Sequence, residues 1–373
     1  MTSPKRRAFQ VFLATVAIGL VAAGVVAYRV YHYPDRDFMG AQGSIEVEIP
    51  RGANAPKVAE LLAQAKIIEN PGYFRLYASH RGAANRFRPG LYHFPAPLSP
   101  KVIVDMLVKG VADELVAVTI PEGKNLIEIA EILETAGIAK KDDLVALATD
   151  ANFAKAQEVP GRSLEGYLFP DTYKLRPNTP AAEALATLVK RHRRVYDELR
   201  SKNPTGANFL HTKLKMDDGR IVTLASIVEK ETGQPLERPR IAQVFLNRLL
   251  KPTFQPKLLQ TDPTITYGCV VAPAFLGQTS AACQKWDGRI RRIQLEDKDN
   301  PYNTYTHEGL PPGPIANPGR AALLAVLRPD ASNYLYFVSK NDGTHQFSAT
   351  VAEHEAAVTK YQRGGKPMGK TEP

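Results

Sequence analysis

The chain has 373 residues, of which 44% are hydrophobic and 23% are charged. This length and balance fit a folded protein with more than one domain and exclude a mostly disordered chain. Two cysteines exclude a disulfide-rich scaffold, and eight scattered histidines without a metal-binding spacing predict neither a metal site nor a cofactor. The formal net charge is +10, yet no nucleic-acid-binding motif occurs, so no nucleic acid is expected as a partner.

The N-terminal segment predicts a membrane anchor. Residues 8–28 are mostly apolar, and at about 1.5 Å per residue a helix of this length spans roughly 30 Å, the hydrocarbon thickness of a bilayer. Basic residues precede it, so the positive-inside rule places residues 1–7 in the cytoplasm and exports the rest. A cleaved signal peptide is the alternative, but its apolar region is usually only about 7–15 residues long. We expect a single-pass protein of the cell inner (cytoplasmic) membrane, with a linker over residues 29–42.

An internal repeat with an offset of 71 residues follows the linker. The first copy contains Ile-Pro-Arg-Gly-Ala-Asn at residues 49–54, and the second contains Ile-Pro-Glu-Gly-Lys-Asn at residues 120–125. In each copy an alternating apolar run precedes this sequence and apolar residues at helical spacing follow it. Each copy therefore predicts a strand–turn–helix unit, with Gly52 and Gly123 at matching positions in the turn.

The fold class predicted from these patterns is α+β. After a single transmembrane helix, residues 43–115 have a β-α-α-β order that resembles a LysM-type module, whose family binds the N-acetylated sugars of cell-wall glycans. A structural spacer is the alternative for this module. Residues 116–363 are even in composition, which predicts one larger mixed α+β catalytic domain. The basic, glycine-rich residues 364–373 predict a disordered tail.

Two glutamates near a predicted helix end are the candidate catalytic residues. Residues 221–232 carry an apolar helical face and end in Glu-Lys-Glu-Thr, and a second amphipathic helix follows over residues 238–250. At 100° per residue, Glu229 and Glu231 lie at the two edges of the apolar face, where lost hydration favours a neutral carboxyl suited to general acid catalysis. Periodicity alone decides neither between the two glutamates nor between this hypothesis and ordinary surface glutamates.

An ordered set of motifs resembles the MltG/YceG family of endolytic murein transglycosylases. The central motif is LASIVEKET at residues 224–232. The other motifs follow the family's order and are EGYLFPDTY at 165–173, LQTDPT at 259–264 with Tyr267-Gly268, YNTY at 302–305, GLPPGPI at 309–315 and LYFV at 335–338. The resemblance extends from the membrane segment to about residue 362. It implies that the second glutamate of the Glu-Lys-Glu-Thr sequence, Glu231, is catalytic.

The resemblance also implies an activity and partners. The expected enzyme is a lyase that cuts nascent peptidoglycan glycan strands at N-acetylmuramic acid, leaves 1,6-anhydromuramyl ends and terminates glycan elongation. Its catalytic domain would be periplasmic, and its expected partners are the peptidoglycan synthases (penicillin-binding proteins). Two alternatives are a non-catalytic cell-wall-binding protein and a muramidase that uses water, for which Asp262 is the candidate second carboxylate.

Seven further residues are candidate sugar contacts. Amides bond to hydroxyl and acetamido groups, and aromatic rings stack on sugar faces, but loop packing is the alternative for each of them. The candidates are Glu229, Glu237, Gln260, Asp262, Tyr267, Asn303 and Tyr305. Glu229 is also a candidate to raise the pKa of Glu231 by like-charge repulsion.

The stretch between residues 268 and 302 is longer than is usual for the family, and it contains both cysteines of the chain. Both cysteines follow the predicted membrane helix and would lie in an oxidising compartment, and neither has a competing partner. The sequence therefore predicts a disulfide between Cys269 and Cys283 that fixes an insertion beside the substrate loops. Two free buried thiols are the alternative.

Overall fold

The computed structural model of the chain describes residues 20–21, 24–25, 27–111 and 115–364. The chain divides into two compact units, Met1–Glu114 and Leu115–Pro373, each with its own hydrophobic core. Residues 1–7, most of the predicted membrane helix over residues 8–28, and the predicted tail beyond residue 364 lie outside the described residues. Within the described ranges, no helix has the length and apolarity needed to cross a bilayer.

The first unit has the predicted β-α-α-β order. Strand β1 (Phe38–Ile49) pairs antiparallel with β2 (Gly90–Leu98), and helices α1 (Ala55–Gln64) and α2 (Pro71–His80) connect them. Helix α3 (Pro100–Lys109) follows β2. The core of this unit is closed by large apolar side chains that are almost fully buried, namely Leu62, Phe74, Tyr92, Phe94 and Leu107.

Residues 29–42, which the sequence predicts as a linker, are structured. A helix continues to residue 32, a single 3-10 turn covers Tyr33–Asp35, and β1 begins at Phe38. The Tyr33 hydroxyl donates to the carbonyl oxygen of Asn70 (3.3 Å), and the ring of Tyr33 lies 5.7 Å from that of Tyr73. Proline in the 3-10 turn fixes its own φ, and these contacts join the segment to α2, so the connection has little freedom.

The internal repeat is confirmed in backbone detail. Gly52 and Gly123 have φ of 79° and 75°, a left-handed conformation that glycine adopts without steric cost. Two residues after the glycine, each copy has an asparagine, Asn54 or Asn125. Its side chain accepts a hydrogen bond from a backbone amide in the first turn of the following helix. Helix α1 of the first copy and helix α4 (Leu126–Thr135) of the second begin and end 71 residues apart.

The second unit begins with a longer version of the same arrangement. Strand β3 (Val116–Thr119) leads through α4, α5 (Lys141–Ala148) and α6 (Ala151–Ala156) to β4 (Thr172–Leu175), which pairs antiparallel with β3. In the second copy, as in the first, the last strand therefore pairs with the first strand. The sequence did not reveal this pairing, because residues 157–171 form irregular chain before β4.

The remaining elements surround one central helix, α9. In chain order they are α7 (Ala181–Lys202), α8 (Pro204–Lys213), α9 (Asp218–Glu231), α10 (Arg238–Leu250), α11 (Asp262–Val270), α12 (Pro273–Leu276), α13 (Arg292–Leu295), α14 (Arg320–Leu327), the antiparallel hairpin of β5 (Tyr336–Ser339) and β6 (His345–Ser348), and α15 (Val351–Gln362). Every residue of α9 from Ile221 to Glu229 is buried, so the expected division into an apolar face and an exposed face is wrong. Each fully buried aliphatic side chain on α9 contributes roughly 1.5–3 kcal/mol, which makes this helix the rigid support of the residues at its end.

Candidate active site

Glu231 is the last residue of α9, and the chain leaves the helix in an extended conformation at Thr232. Glu231 is partly exposed as a whole residue, but its Oε1 atom is buried and has no hydrogen-bond partner among the described residues. Burial, and after it the negative charge of Asp262, raise the pKa of this carboxyl to about 7 against the opposing charge of Arg248. The carboxyl-terminal end of a helix also disfavours a carboxylate. A large fraction of Glu231 is therefore protonated at neutral pH.

Asp262 lies beside this acid at the start of α11, rather than in the loop that the sequence predicted. Its side chain is exposed, and the Tyr305 hydroxyl donates a hydrogen bond of 2.7 Å to its Oδ1. Two bonds hold the chain before it: the amide of Gln260 donates to the carbonyl of Thr304 (3.1 Å), and the amide of Thr261 donates to the Thr304 hydroxyl (3.0 Å). The structure thus brings together the predicted residues Gln260, Asp262 and Tyr305.

Gln260 has a left-handed backbone, with φ of 52°, and an exposed side chain. A non-glycine residue in this conformation costs free energy that its surroundings must offset, and such residues concentrate at functional sites. The hydroxyl oxygen of the next residue, Thr261, is buried without a hydrogen-bond partner among the described residues, and it lies near enough to Glu231 to favour the charged carboxyl. The sequence analysis did not single out Thr261.

A buried cation that the sequence gave no reason to select, Arg248, also faces Glu231. Its Nε donates to the carbonyl of Leu335 (2.7 Å) and its Nη1 to the carbonyl of Leu259, while the rings of Phe254 and Tyr336 flank its guanidinium at 5.5 and 5.6 Å. Burial lowers the pKa of Arg248 to about 10, so it remains charged at neutral pH. It can stabilise the Glu231 carboxylate once the proton has left.

Glu229 has a structural role, and neither of its predicted roles gains support from its contacts. Its Oε1 accepts a hydrogen bond of 2.6 Å from the buried Arg238, and its Oε2 accepts one of 3.0 Å from the backbone amide of Gly319. Burial raises the pKa of Glu229, and the Gly319 amide and Arg238 oppose that rise. With both oxygens occupied it is not a sugar contact, and the charge that raises the pKa of Glu231 comes from Asp262.

Three further residues that were predicted to contact sugar bond to other parts of the chain. The Asn303 side chain is fully buried and its Nδ2 donates to three backbone carbonyls, those of residues 294, 295 and 297. The Tyr267 ring is buried and its hydroxyl donates to Glu165 (3.1 Å). Glu237 accepts a bond of 2.9 Å from the amide of His345 and contacts the imidazole Nδ1 at 2.7 Å, which joins α10 to the β5–β6 hairpin. The side-chain polar groups of these three residues are thus bonded within the protein.

Glu165 is a second buried acid. The sequence analysis named it only as the first residue of the motif at residues 165–173. Its carboxylate accepts hydrogen bonds from the amide of Leu126 (3.1 Å), the Tyr267 hydroxyl (3.1 Å) and the Asn317 side chain (2.7 Å). Burial raises its pKa to about 8. Through these bonds one residue connects α4, α11 and the chain before α14. A charged residue inside an aromatic and apolar motif was the signal that could have identified it.

An open cleft of about 300 Å³ lies next to Asp262. The residues that line it include Asn125, Lys230, Asp262, Tyr267 and Val270. The ammonium of Lys230 donates to the carbonyl of Gly123 (3.2 Å), so its position is fixed, and Val270 is half exposed. A cleft that combines an amide, a cation, a carboxylate and apolar surface suits a polar ligand such as a sugar. In the described part of the chain, no group of histidine, cysteine or acidic residues could hold a metal ion.

Cys269 and Cys283 are joined by a disulfide. The bridge packs against Ile265 of α11, and Trp286 and Tyr305 are among the partly buried side chains around it. This small cluster supports both the helix that begins at Asp262 and the tyrosine that bonds to Asp262. The disulfide thus acts on the site only through the residues that it positions.

These features define a class of site: that of an acid–base enzyme, with a carboxyl of pKa about 7 near an aspartate that lines an open cleft. The model of the YceG-like family matches residues 47–360, and the chain belongs to this family. The expected resemblance to the MltG/YceG family is thereby confirmed.

Individual relatives agree with this assignment. The chain is 31% identical over 333 residues to a Bacillus subtilis (strain 168) protein named endolytic murein transglycosylase, with 85% of each chain covered. It is 28% identical over 391 aligned positions to a protein of the same name from Streptococcus pneumoniae (serotype 2, strain D39), covering 95% of this chain and 64% of that protein. It also resembles the crystal structure of a yceG-like protein from Listeria monocytogenes, with a TM-score of 0.51, 30% identity, and coverage of 85% of this chain and 99% of that one.

Proposed function

We propose that this protein is an endolytic murein transglycosylase, a lyase that cleaves peptidoglycan glycan strands at N-acetylmuramic acid and leaves 1,6-anhydromuramyl ends. The observation that carries the proposal is Glu231: it is a carboxyl with a pKa of about 7 and a buried oxygen without a partner among the described residues, and the neighbouring Lys230 and Asp262 line an open cleft. An acid with this pKa is present in both protonation states at neutral pH, which one residue needs if it is to donate a proton and later accept one.

The reaction requires Glu231 to act twice. As the neutral acid it donates its proton to the glycosidic oxygen that leaves the anomeric carbon of N-acetylmuramic acid, and the sugar passes through an oxocarbenium-like state. As the carboxylate it then accepts the proton of the muramyl 6-hydroxyl, whose oxygen attacks the anomeric carbon. The bond to the leaving sugar breaks, the 1,6-anhydro bond forms, and the acid is regenerated without consumption of water. Arg248 favours the carboxylate between the two steps.

Asp262 supports this reaction electrostatically. Its charge raises the pKa of Glu231, so it favours the form that donates the proton. As an exposed carboxylate beside the cleft, it is also placed to stabilise positive charge that develops on the sugar ring. A muramidase would instead use Asp262 as its second carboxylate, either to activate water or as a nucleophile. Since the Tyr305 hydroxyl donates a hydrogen bond to Oδ1 of Asp262, that oxygen is already occupied.

We further propose that residues 8–28 anchor the enzyme in the inner membrane, with the catalytic unit in the periplasm beside the peptidoglycan synthases, where it terminates growing strands. The composition of these residues and the basic cluster before them support this location. Deletion of residues 1–30 should give a soluble protein that still cleaves isolated strands. In cells the exported, unanchored form should function poorly, and full function would contradict the need for an anchor.

Product analysis tests the proposed reaction. Purified uncrosslinked glycan strands are incubated with the full chain in detergent, and the ends are identified by mass spectrometry. Anhydromuramyl ends with fragments from within the strand support the proposal. New reducing ends would show that water is used and would assign a muramidase, and uncleaved strands would leave a glycan-binding protein. The Glu231→Gln variant is the matched control for a contaminating activity.

A further inference from the structure

A groove in the first unit carries aromatic side chains that the core does not use. Helix α2 has two apolar faces: Phe74 and Ala78 are fully buried in the core of the unit, whereas the opposite face points outward. That outer face and the segment over residues 30–34 enclose a groove of about 570 Å³. We call it the aromatic groove; its main lining residues are Tyr31, Tyr33, Tyr73, Leu76, Tyr77 and His80.

The described apolar residues of the helix that precedes the groove are also exposed. Where the structure describes that helix, Leu20, Val21, Val25 and Tyr28 are exposed by 69, 67, 50 and 66%. Tyr31 is exposed by 79%, and Leu76, in the middle of the outer face of α2, by 56%. Adjacent exposed apolar residues of this extent mark a surface that is covered by another phase or partner.

The end of that helix is held beside α2 by side-chain contacts, although β1 and α1 lie between the two in the chain. The helix ends at residue 32, and Tyr33 is bonded and stacked against α2 as described above. Lys101 of α3 forms an ion pair of 3.8 Å with Asp35. Because these contacts bring α2 beside the end of the helix, the outer face of α2 lies close to the point where the helix would leave a bilayer.

The chemistry of the groove fits lipid head groups better than sugar. Among the described residues that line it there is no amide and no carboxylate side chain, the groups that usually bind sugar hydroxyls. Tyrosines with an apolar body and a polar tip prefer the interface between hydrocarbon and water. Arg81 lies 5.9 Å from the Tyr77 ring and is paired with Asp105 at 3.1 Å. Arg29 and Arg75 are exposed nearby in sequence, so these two cations are present for anionic head groups.

From this arrangement we infer that the aromatic groove is a membrane-docking surface: α2 lies in the head-group region of the bilayer, with Tyr73, Leu76 and Tyr77 toward the lipid. This inference rests on the membrane anchor proposed above. Docking would give the first unit a second contact with the bilayer in addition to the anchor. A groove that binds glycan, as the LysM resemblance suggests, is the competing assignment.

Fluorescence quenching by lipid tests the inference. Trp286 is the only tryptophan of the chain, so Trp286→Phe gives a silent background. On that background, Leu76→Trp introduces a fluorophore into the groove. Leu91→Trp is the matched control, because Leu91 is 47% exposed on β2 of the same unit but does not line the groove. The full chain is inserted into vesicles of phosphatidylethanolamine and phosphatidylglycerol that contain phosphatidylcholine brominated near the top of its acyl chains.

The expected result is a loss of fluorescence at position 76 and none at position 91. Protein that floats with the vesicles but is unquenched at position 76 overturns the docking surface alone, whereas protein that does not float overturns the anchor and the docking surface together. An unquenched position 76 whose fluorescence changes on addition of soluble glycan strands would assign the groove to sugar.

A second variant separates docking from folding. Leu76→Glu places a charge at an exposed position, so it should leave the fold and the cleavage of soluble strands in detergent unchanged. In vesicles, hydrogen exchange over residues 71–81 should be faster in this variant than in the natural chain. Equal exchange rates in vesicles would contradict docking through α2.

Discussion

Replacement of Glu231 by glutamine separates the catalytic role of this side chain from its cost to the fold. The amide occupies nearly the same volume at the end of α9, but it neither donates the required proton nor accepts one. Proton transfer by a positioned group is worth roughly 10²–10⁴ in rate. Because the same carboxyl acts in both steps, we expect the rate of strand cleavage to fall by at least about 10³-fold.

The same substitution should raise the free energy of unfolding at high pH. In the folded protein the pKa of Glu231 is about 7, above its ordinary value of 4.5. The folded state therefore binds this proton more tightly than the unfolded state, and ionisation within the fold costs free energy. At about 1.4 kcal/mol for each tenfold change in the ionisation constant, the cost is about 3 kcal/mol above pH ~7. It shrinks as the pH falls from the folded to the unfolded pKa and vanishes below that, where the carboxyl is neutral in both states.

Glutamine removes this cost because it does not ionise. The free energy of unfolding of Glu231→Gln should therefore exceed that of the natural chain by up to about 3 kcal/mol near pH 8, and the two should converge near pH 4. Urea unfolding of the soluble region at several pH values measures the difference, and mass spectrometry of strand ends measures the activity. Near-normal cleavage would refute the catalytic assignment. Equal stability of the two proteins at pH 8 would refute the buried, raised-pKa carboxyl on which the mechanism rests.

Asp262→Asn should lower the pKa of Glu231 and so move the alkaline fall of the pH–rate profile to lower pH, with activity retained below it; complete loss of cleavage at every pH would instead support a muramidase. Glu229→Gln should retain more cleavage than Glu231→Gln but should lower the free energy of unfolding, by less than the roughly 3–5 kcal/mol of a fully broken buried pair, because the buried Arg238 keeps Glu122 at 3.4 Å; the reverse ranking of activities would mean that the wrong glutamate was chosen. Thiol titration of the denatured, unreduced protein should find no free thiol from Cys269 and Cys283, and two free thiols would disprove the bridge.

Local patterns in the sequence were sufficient for the individual elements. The prediction of a helix over residues 238–250 coincides with α10, and the hairpin at Asn341-Asp342-Gly343 has left-handed backbones at Asn341 and Gly343. The repeat was correct because its signals act within a few residues: a glycine that turns the chain and an asparagine that caps the next helix. Such interactions involve only residues that are close in sequence, so the order of residues is enough to infer them.

The chemistry at the end of α9 depended on contacts between distant parts of the chain. Helical periodicity treated Glu229 and Glu231 as equivalent, and the ordered motifs indicated Glu231 through family resemblance. The tertiary structure gives the physical difference: Arg238 and Gly319 occupy the oxygens of Glu229, whereas Glu231 keeps a buried oxygen without a partner in the described chain and has Asp262 beside it.

The same reason explains why two of the predicted sugar contacts are buried. A sequence shows that Asn303 and Tyr267 are polar or aromatic, but exposure depends on which other elements cover a side chain, and both are covered. The sequence by itself thus determined the elements, the repeat and the candidate acid. Only the packing of α9 among its neighbours decided which carboxyl is desolvated without a hydrogen-bonded ion pair, because desolvation and charge pairing are properties of the assembled core and not of any single helix.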